Sequence, residues 1–269
     1  MVAGDAIYIA SDFPYIPYIE CMAPTRFRAL VGRVMERRTF LGLMGSSALG
    51  LTLPNILSAP ADASSGRVIR ELPTWGEKRA AWTVDDGTSP EAVQRYIRLA
   101  QENDLRLTFF VYSSMGSWLR NRKDLLPLVE SGQIQMANHT AHHPFLPGLS
   151  SREIKRELMG AHNFIEKYFG VDARPFYRPP YGGISKRVVE VAADIGYTKT
   201  MLWSGSLGDA SNIRSSRLLQ LARSSFYDGS VVLAHANNLT FTKVLPKVLQ
   251  DIQSKELNLV TLNDAFDLQ

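Results

Sequence analysis

From about residue 78 to the C-terminus, short apolar runs alternate with amphipathic stretches. Arg79-Ala-Ala-Trp-Thr-Val84 has the residues of a buried strand and is stopped by Asp85-Asp86-Gly87. Pro90 to Glu102 follows with Val93, Tyr96, Ile97 and Leu99 at helical spacing and a proline in the first turn. Leu105 to Tyr112 is β-branched and aromatic, 119–130 is mostly helical, and Gln133 to Asn138 is a third strand. Ser150-x-x-Glu153 is a capping box that opens a helix to Tyr168, closed by Gly170. The remaining pattern predicts strands over 174–177, 198–203, 230–233 and 257–262. Helices are predicted from Ser185 toward Gly196, over 216–226 and over 243–255.

Such alternation predicts an α/β fold with a parallel sheet and crossover helices. About seven units suit a single distorted (β/α) barrel better than a dinucleotide-binding sheet. No Gly-x-Gly-x-x-Gly follows the first strand, and no phosphate-binding Lys-Ser/Thr loop is present. In parallel barrels the chemistry sits at the carboxyl ends of the strands, so the residues just past each strand are the ones to inspect.

The first part of the chain does not share this pattern. Met35-Glu-Arg37-Arg38-Thr-Phe40-Leu41 opens a moderately apolar run to Leu53, and small residues end in Ala61-Asp-Ala63. Twin arginines, apolar run and Ala-x-Ala site in that order predict a twin-arginine export signal over 35–63. The run is too short and too rich in Gly and Ser for a permanent membrane span. Residues 1–34 mingle tyrosines with prolines without any period and are expected to be an unstructured extension or a mis-assigned start, with Met35 or Met22 as the natural one. Residues 64–77 then read as a linker and 78–269 as the catalytic domain.

Composition narrows the function. An apolar content of 45% supports a sizeable core. The net charge of +4 is carried wholly by residues 64–269, without a lysine-rich tract, which argues against nucleic acid as a partner. Cys21 is the one cysteine, so an internal disulfide and a cysteine metal site are excluded.

The predicted strand ends gather the chemistry. Asp85 and Asp86 follow the first strand, His139 and His143 the third, Arg178 and Tyr181 the fourth, Trp203 and Asp209 the fifth, and His235 the sixth. Every histidine except His162 is in this set or, like His142, inside it. Two imidazoles four residues apart can reach one ion, and a carboxylate from a neighbouring strand completes a His-His-Asp set with a position open to water.

Thr83-Val-Asp85-Asp86-Gly87, Asn138-His139-Thr140-Ala-His-His143-Pro144, Arg178-Pro179-Pro180-Tyr181-Gly182 and Gly229-Ser-Val-Val-Leu233-Ala-His235 resemble, in order and spacing, four motifs of the polysaccharide deacetylases (carbohydrate esterase family 4), the group that includes the rhizobial nodulation-factor deacetylases. The resemblance implies a metal-dependent hydrolase that removes N-acetyl groups from an envelope or extracellular glycan such as peptidoglycan or chitin. It implies that Asp86, His139 and His143 hold a divalent ion, zinc first, with cobalt or another transition ion also suited. It makes Asp85 the general base acting on water and His235 the acid that protonates the departing amine. Arg178 then orients Asp85 and Asp209 tunes His235. The backbone N–H at Tyr181 serves the oxyanion, Leu233 walls the acetyl pocket, and Trp203 lines the sugar groove. On any strand, Leu233 and Trp203 equally suit core positions.

The resemblance also has gaps. Ser206 and Ala210 replace an acid and an aromatic of the fourth motif, and Ala236 replaces the usual acid after His235. These changes bear on specificity and on how the imidazole is held. His142 receives no role, His162 is expected on the surface or in packing, and Phe145 is expected to pack the loop. The expected protein is monomeric and located in the periplasm, cell wall or medium. An amidase for a small non-sugar amide and a non-catalytic glycan-binding remnant are the alternative readings.

Overall fold

The computed structural model describes residues 66–74, 76–210 and 213–268. The expected extension (1–34) and export signal (35–63) lie outside the described residues. In chain order the elements are β1 (Arg67–Ile69), β2 (Arg79–Asp86), α1 (Pro90–Asn103), β3 (Leu107–Val111), α2 (Ser117–Arg120), α3 (Arg122–Glu130), β4 (Ile134–Asn138), α4 (Ser151–Phe169), β5 (Phe176–Tyr177), α5 (Lys186–Ala193), β6 (Lys199–Met201), β7 (Gly205–Ser206), α6 (Ser215–Ser225), β8 (Val231–His235), α7 (Leu239–Thr242), α8 (Leu245–Gln253), β9 (Asn258–Leu259) and α9 (Leu262–Ala265).

The strands run β1-β6-β5-β4-β3-β2-β8-β7, and β9 pairs the start of β2. Every pairing is parallel. This is the curled, barrel-like sheet expected, with β1 and β7 ending the path. Residues 202–204 run from β1 to β8: Leu202 N–H donates to Ile69 O at 2.8 Å and Ser204 N–H to Val231 O at 3.0 Å.

Alternation along each strand builds two cores. Ala80, Trp82 and Val84 of β2 face the helices, with Phe109, Val111, Met136, Val232 and Ala234. Ala81 faces the concave side, with Phe110, Ala137, Phe176, Met201 and Val231. Thr83 and Asp85 share that inward parity, which is why a carboxylate ends the inner column of β2. The opposite mouth is filled by α9, whose Leu262 and Ala265 join the inner core.

Several expectations need correction. The linker of 64–77 contains β1, which pairs β6 through Arg67–Lys199 and Ile69–Met201, and the buried Leu72. Three residues are too few for a period to show. The strand expected over 257–262 is only β9, because Thr261 and Asp264 form a capping box that turns the chain into α9. Conversely, β2 does not stop at Val84 but pairs β3 through Asp86. The helix expected over 119–130 is broken at Asn121, whose side-chain amide donates to Pro90 O and Ser117 O, both at 3.0 Å.

Candidate active site

The end of β2 turns abruptly. Gly87 N–H and Ala236 N–H both donate to Asp85 O, at 3.0 and 3.1 Å. Asp86 takes the left-handed conformation with φ 70°, which L-residues rarely adopt. Gly87 follows with φ 77°, and a Cβ there would lie 2.3 Å from the Trp118 ring, so only glycine fits. Ser117 Oγ donates to Gly87 O and pins the turn from below. The two aspartates thereby point their carboxylates differently although they are neighbours in sequence.

His139 leaves the end of β4. Its Nδ1 lies 2.8 Å from Arg178 O, a carbonyl that only accepts, so Nδ1 carries a proton and Nε2 is the nitrogen turned toward Asp86. The following loop bends through Thr140 (φ 71°) and His143 (φ 57°). Asn138 Oδ1 accepts from Thr140 N–H at 2.8 Å, Thr140 Oγ1 from His143 N–H at 3.0 Å, and Glu157 O from Ala141 N–H at 3.0 Å. The bent loop brings His143 Nε2 to 3.2 Å from Asp86 Oδ1, the same distance as His139 Nε2.

Asp86 Oδ1 is buried and accepts no hydrogen bond, although it faces two imidazole nitrogens. Two imidazole nitrogens and a carboxylate oxygen gathered this closely form a donor set of the kind that holds a cation. The potential ligand atoms of Asp86, His139 and His143 all lie within 4.8 Å of one another. Two imidazoles and one carboxylate suit a divalent transition ion, so the residues present fit the metal the sequence implies. Burial opposes ionisation of Asp86, but His139, His143 and Asn237 outweigh it and hold the carboxyl well below the usual carboxylate range.

Beside this centre, Asp85 is 3% exposed. Arg178, fully buried, donates from Nη1 to Asp85 Oδ1 at 2.6 Å and from Nη2 to Leu202 O at 3.1 Å, with its guanidinium 4.1 Å above the Phe110 ring. A buried charge held this way fixes its partner, because moving either would leave the other unpaired in the interior. Asp85 Oδ2 is 3.6 Å from His139 Nε2, facing the centre.

His235 ends β8 and is the register partner of Asp85. Asp209 receives both its backbone N–H, at 2.9 Å, and its ring Nδ1, at 2.8 Å. Burial would lower the pKa of this imidazole, yet the bond to Asp209 and the charges of Asp85 and Asp86 raise it above the ordinary histidine value. The replaced acids therefore leave His235 anchored. Ser206 Oγ accepts from Gly208 N–H and shapes the turn to Asp209, and Ala236 is buried.

A cleft of about 470 Å³ joins Asp85, Asp86, His139, His143 and His235 to Tyr181, Trp203, Leu233 and Ala210. All ten sequence-predicted site residues thus meet here, with Arg178 beneath the cleft and Asp209 behind His235. Tyr181 is 72% exposed on left-handed backbone (φ 59°), its ring 4.7 Å from that of His143. His142 turns away to Glu157, at 3.0 Å from Nδ1. His162 is buried, with Nδ1 3.0 Å from the Tyr197 hydroxyl. Phe145 is exposed, against the backbone of Gly183. Asn237, which sequence reasoning passed over, lines the cleft and donates to Asp86 Oδ2 at 2.6 Å. Its position two residues past His235, at the same strand end, was the available signal.

Residues 73–200 match the family model for polysaccharide deacetylase. The chain carries a polysaccharide deacetylase domain. This deacetylase domain is similar to the peptidoglycan-N-acetylglucosamine deacetylase of Bacillus cereus, with 26% identity over 75% of this chain and 94% of that protein. Chitin deacetylase 1 of Cryptococcus neoformans is 37% identical over 45% of this chain and 25% of its own length. The match also spans only 57% of an uncharacterized Bacillus subtilis relative and 39% of a Listeria monocytogenes peptidoglycan-N-acetylglucosamine deacetylase. The fold is that of a CE4 family pseudoenzyme from Bacillus anthracis, with TM-score 0.66 and 22% identity over 76% of this chain and 70% of that one. Deacetylase-type folds thus occur with and without activity, and the site decides between them.

Proposed function

We propose that this protein is an exported, metal-dependent hydrolase that removes N-acetyl groups from amino-sugar residues of an envelope glycan. The observation that carries the reading is the unpartnered Asp86 Oδ1 between two imidazole nitrogens, with Asp85 held beside it by Arg178 and His235 opposite on Asp209. A glycan-binding remnant has no use for a buried carboxylate clamped by a buried arginine next to a metal-type cluster. The relatives named for peptidoglycan and chitin deacetylation support an amino-sugar substrate. The signal pattern over 35–63 supports export. Among the described residues, no helix is long and apolar enough to cross a membrane.

Asp86, His139 and His143 would hold the ion, with zinc preferred. When bound, the ion supplies Lewis acidity that makes water a nucleophile near neutral pH and polarises the acetamide carbonyl. Asp85, restrained through Oδ1, takes the proton from the attacking water on Oδ2. The Tyr181 backbone N–H is assigned to the developing oxyanion. His235, whose Nδ1 is engaged by Asp209, gives its Nε2 proton to the departing amine. Leu233 and Trp203 wall the space for acetyl group and sugar.

The test is acetate release by the full chain from N-acetylglucosamine oligomers and from peptidoglycan, with and without chelator. Chelator-sensitive release is expected. No release from either glycan despite stoichiometric zinc would overturn the sugar substrate. In that event Ala210 in the cleft wall would favour a small non-sugar amide.

A further inference from the structure

Asn237 plays no part in the mechanism above, yet its amide is fixed from both sides. Its Oδ1 accepts from the Thr88 backbone N–H at 3.2 Å and from the Thr88 hydroxyl at 2.9 Å. With its oxygen so engaged, its NH2 group faces the other way and donates to Asp86 Oδ2 at 2.6 Å. Ser89 N–H adds a bond to Ala236 O at 3.1 Å, so residues 86–89 are tied to the exit of β8 at several points.

We infer that Asn237 is a positioning residue of the metal centre, occupying Asp86 Oδ2 so that a single carboxylate oxygen, Oδ1, is offered to the ion. This rests on reading Asp86, His139 and His143 as metal ligands. Asp86 sits on a left-handed turn at a strand end, and an unrestrained carboxylate there can rotate to engage an ion through both oxygens. The amide clamp removes that rotation. It leaves three protein donor atoms and keeps the rest of the coordination sphere for water and substrate, as hydrolytic metal sites require. The side-chain type matters. An alanine releases Oδ2, and a carboxylate would set a second anion against Asp86. Thr88, by holding the far side of the amide, fixes which end of Asn237 faces the ligand.

The experiment measures two properties of the full chain: Zn²⁺ affinity by competition with a chromophoric chelator, and the visible absorption spectrum of the Co²⁺-loaded protein. Asn237→Ala is expected to weaken Zn²⁺ binding by roughly 10–100-fold, the usual effect of removing a group that orients a ligand. It should also change the Co²⁺ band, with the melting temperature of the metal-free protein close to that of the parent. Thr88→Val, which removes one of the two restraints on the amide, should move both readouts in the same direction by less. Parent-like affinity and spectrum in Asn237→Ala would overturn the inference. If that variant does not fold, parent-like values in Thr88→Val do the same. Failure of the parent chain itself to take up Zn²⁺ or Co²⁺ would instead overturn the ligand reading.

Discussion

The two mouths of the barrel are both polar and both closed by hydrogen bonds between distant parts of the chain, but they differ in one respect. At the amino ends of the strands, Arg106 donates to both carboxylate oxygens of Asp264 at 2.6 and 2.8 Å, and from Nη2 also to Gly132 O at 2.8 Å. Gln135 accepts from Thr108 Oγ1 and Asn263 N–H, and donates to Asn263 Oδ1. Donors and acceptors there are matched. At the carboxyl ends, Asp85, Arg178, Asp209 and His235 are matched too, but two imidazole nitrogens converge on one oxygen, Asp86 Oδ1, each at 3.2 Å. A network of paired donors and acceptors holds a fold together, whereas a His-His-Asp cluster converging on one point has the make-up of a cation site. Buried polarity alone does not separate the two.

Breaking each mouth should therefore give different phenotypes. The largest effect is expected from His139→Ala, which should abolish stoichiometric zinc and bring acetate release to the detection limit, as metal analysis and a turnover assay would show. Asp209→Asn is expected to lower kcat/KM by about tenfold or more. Because Asp209 raises the His235 pKa, its loss lowers that pKa, and the alkaline limb of the kcat/KM profile should move to lower pH. An unshifted limb would remove His235 from the role of acid. Gln135→Leu, at the other mouth, strands the Asn263 amide groups and should cost about 1–3 kcal/mol in a denaturant titration, with zinc content unchanged. The smallest effect is expected from Arg106→Ala. Its pair with Asp264 is partly exposed, so about 0.5–1 kcal/mol is expected, again without loss of metal.

Much of this division was legible in the sequence because it follows local rules. The Ser150 and Glu153 capping box, Gly170 beyond the helix end and the Ser185 cap all form as read. The strand ends carrying Asp85, His139, Arg178 and His235 are readable because apolar runs end there abruptly. β1 was not, since three residues carry no period and gain their structure only from β6. Thr261-Leu-Asn-Asp264 held a capping signal, but the apolar run before it read as a longer strand. The position of Asn237 past His235 marked it as a site neighbour, but its bond to Asp86 was not legible, because it joins parts of the chain 151 residues apart at one strand end. The sequence order Asp85-Asp86 likewise gives no hint that one carboxylate meets a buried arginine and the other two imidazoles. That separation comes from the turn that Gly87 and Trp118 enforce.

The central claim is this division of labour between adjacent aspartates. It is tested most directly by measuring zinc content and acetate release together in Asp85→Asn. The account predicts one zinc per chain, as in the parent, with kcat reduced by about 10²–10⁴-fold. A zinc-loaded Asp85→Asn protein that releases acetate at close to the parent rate would contradict it.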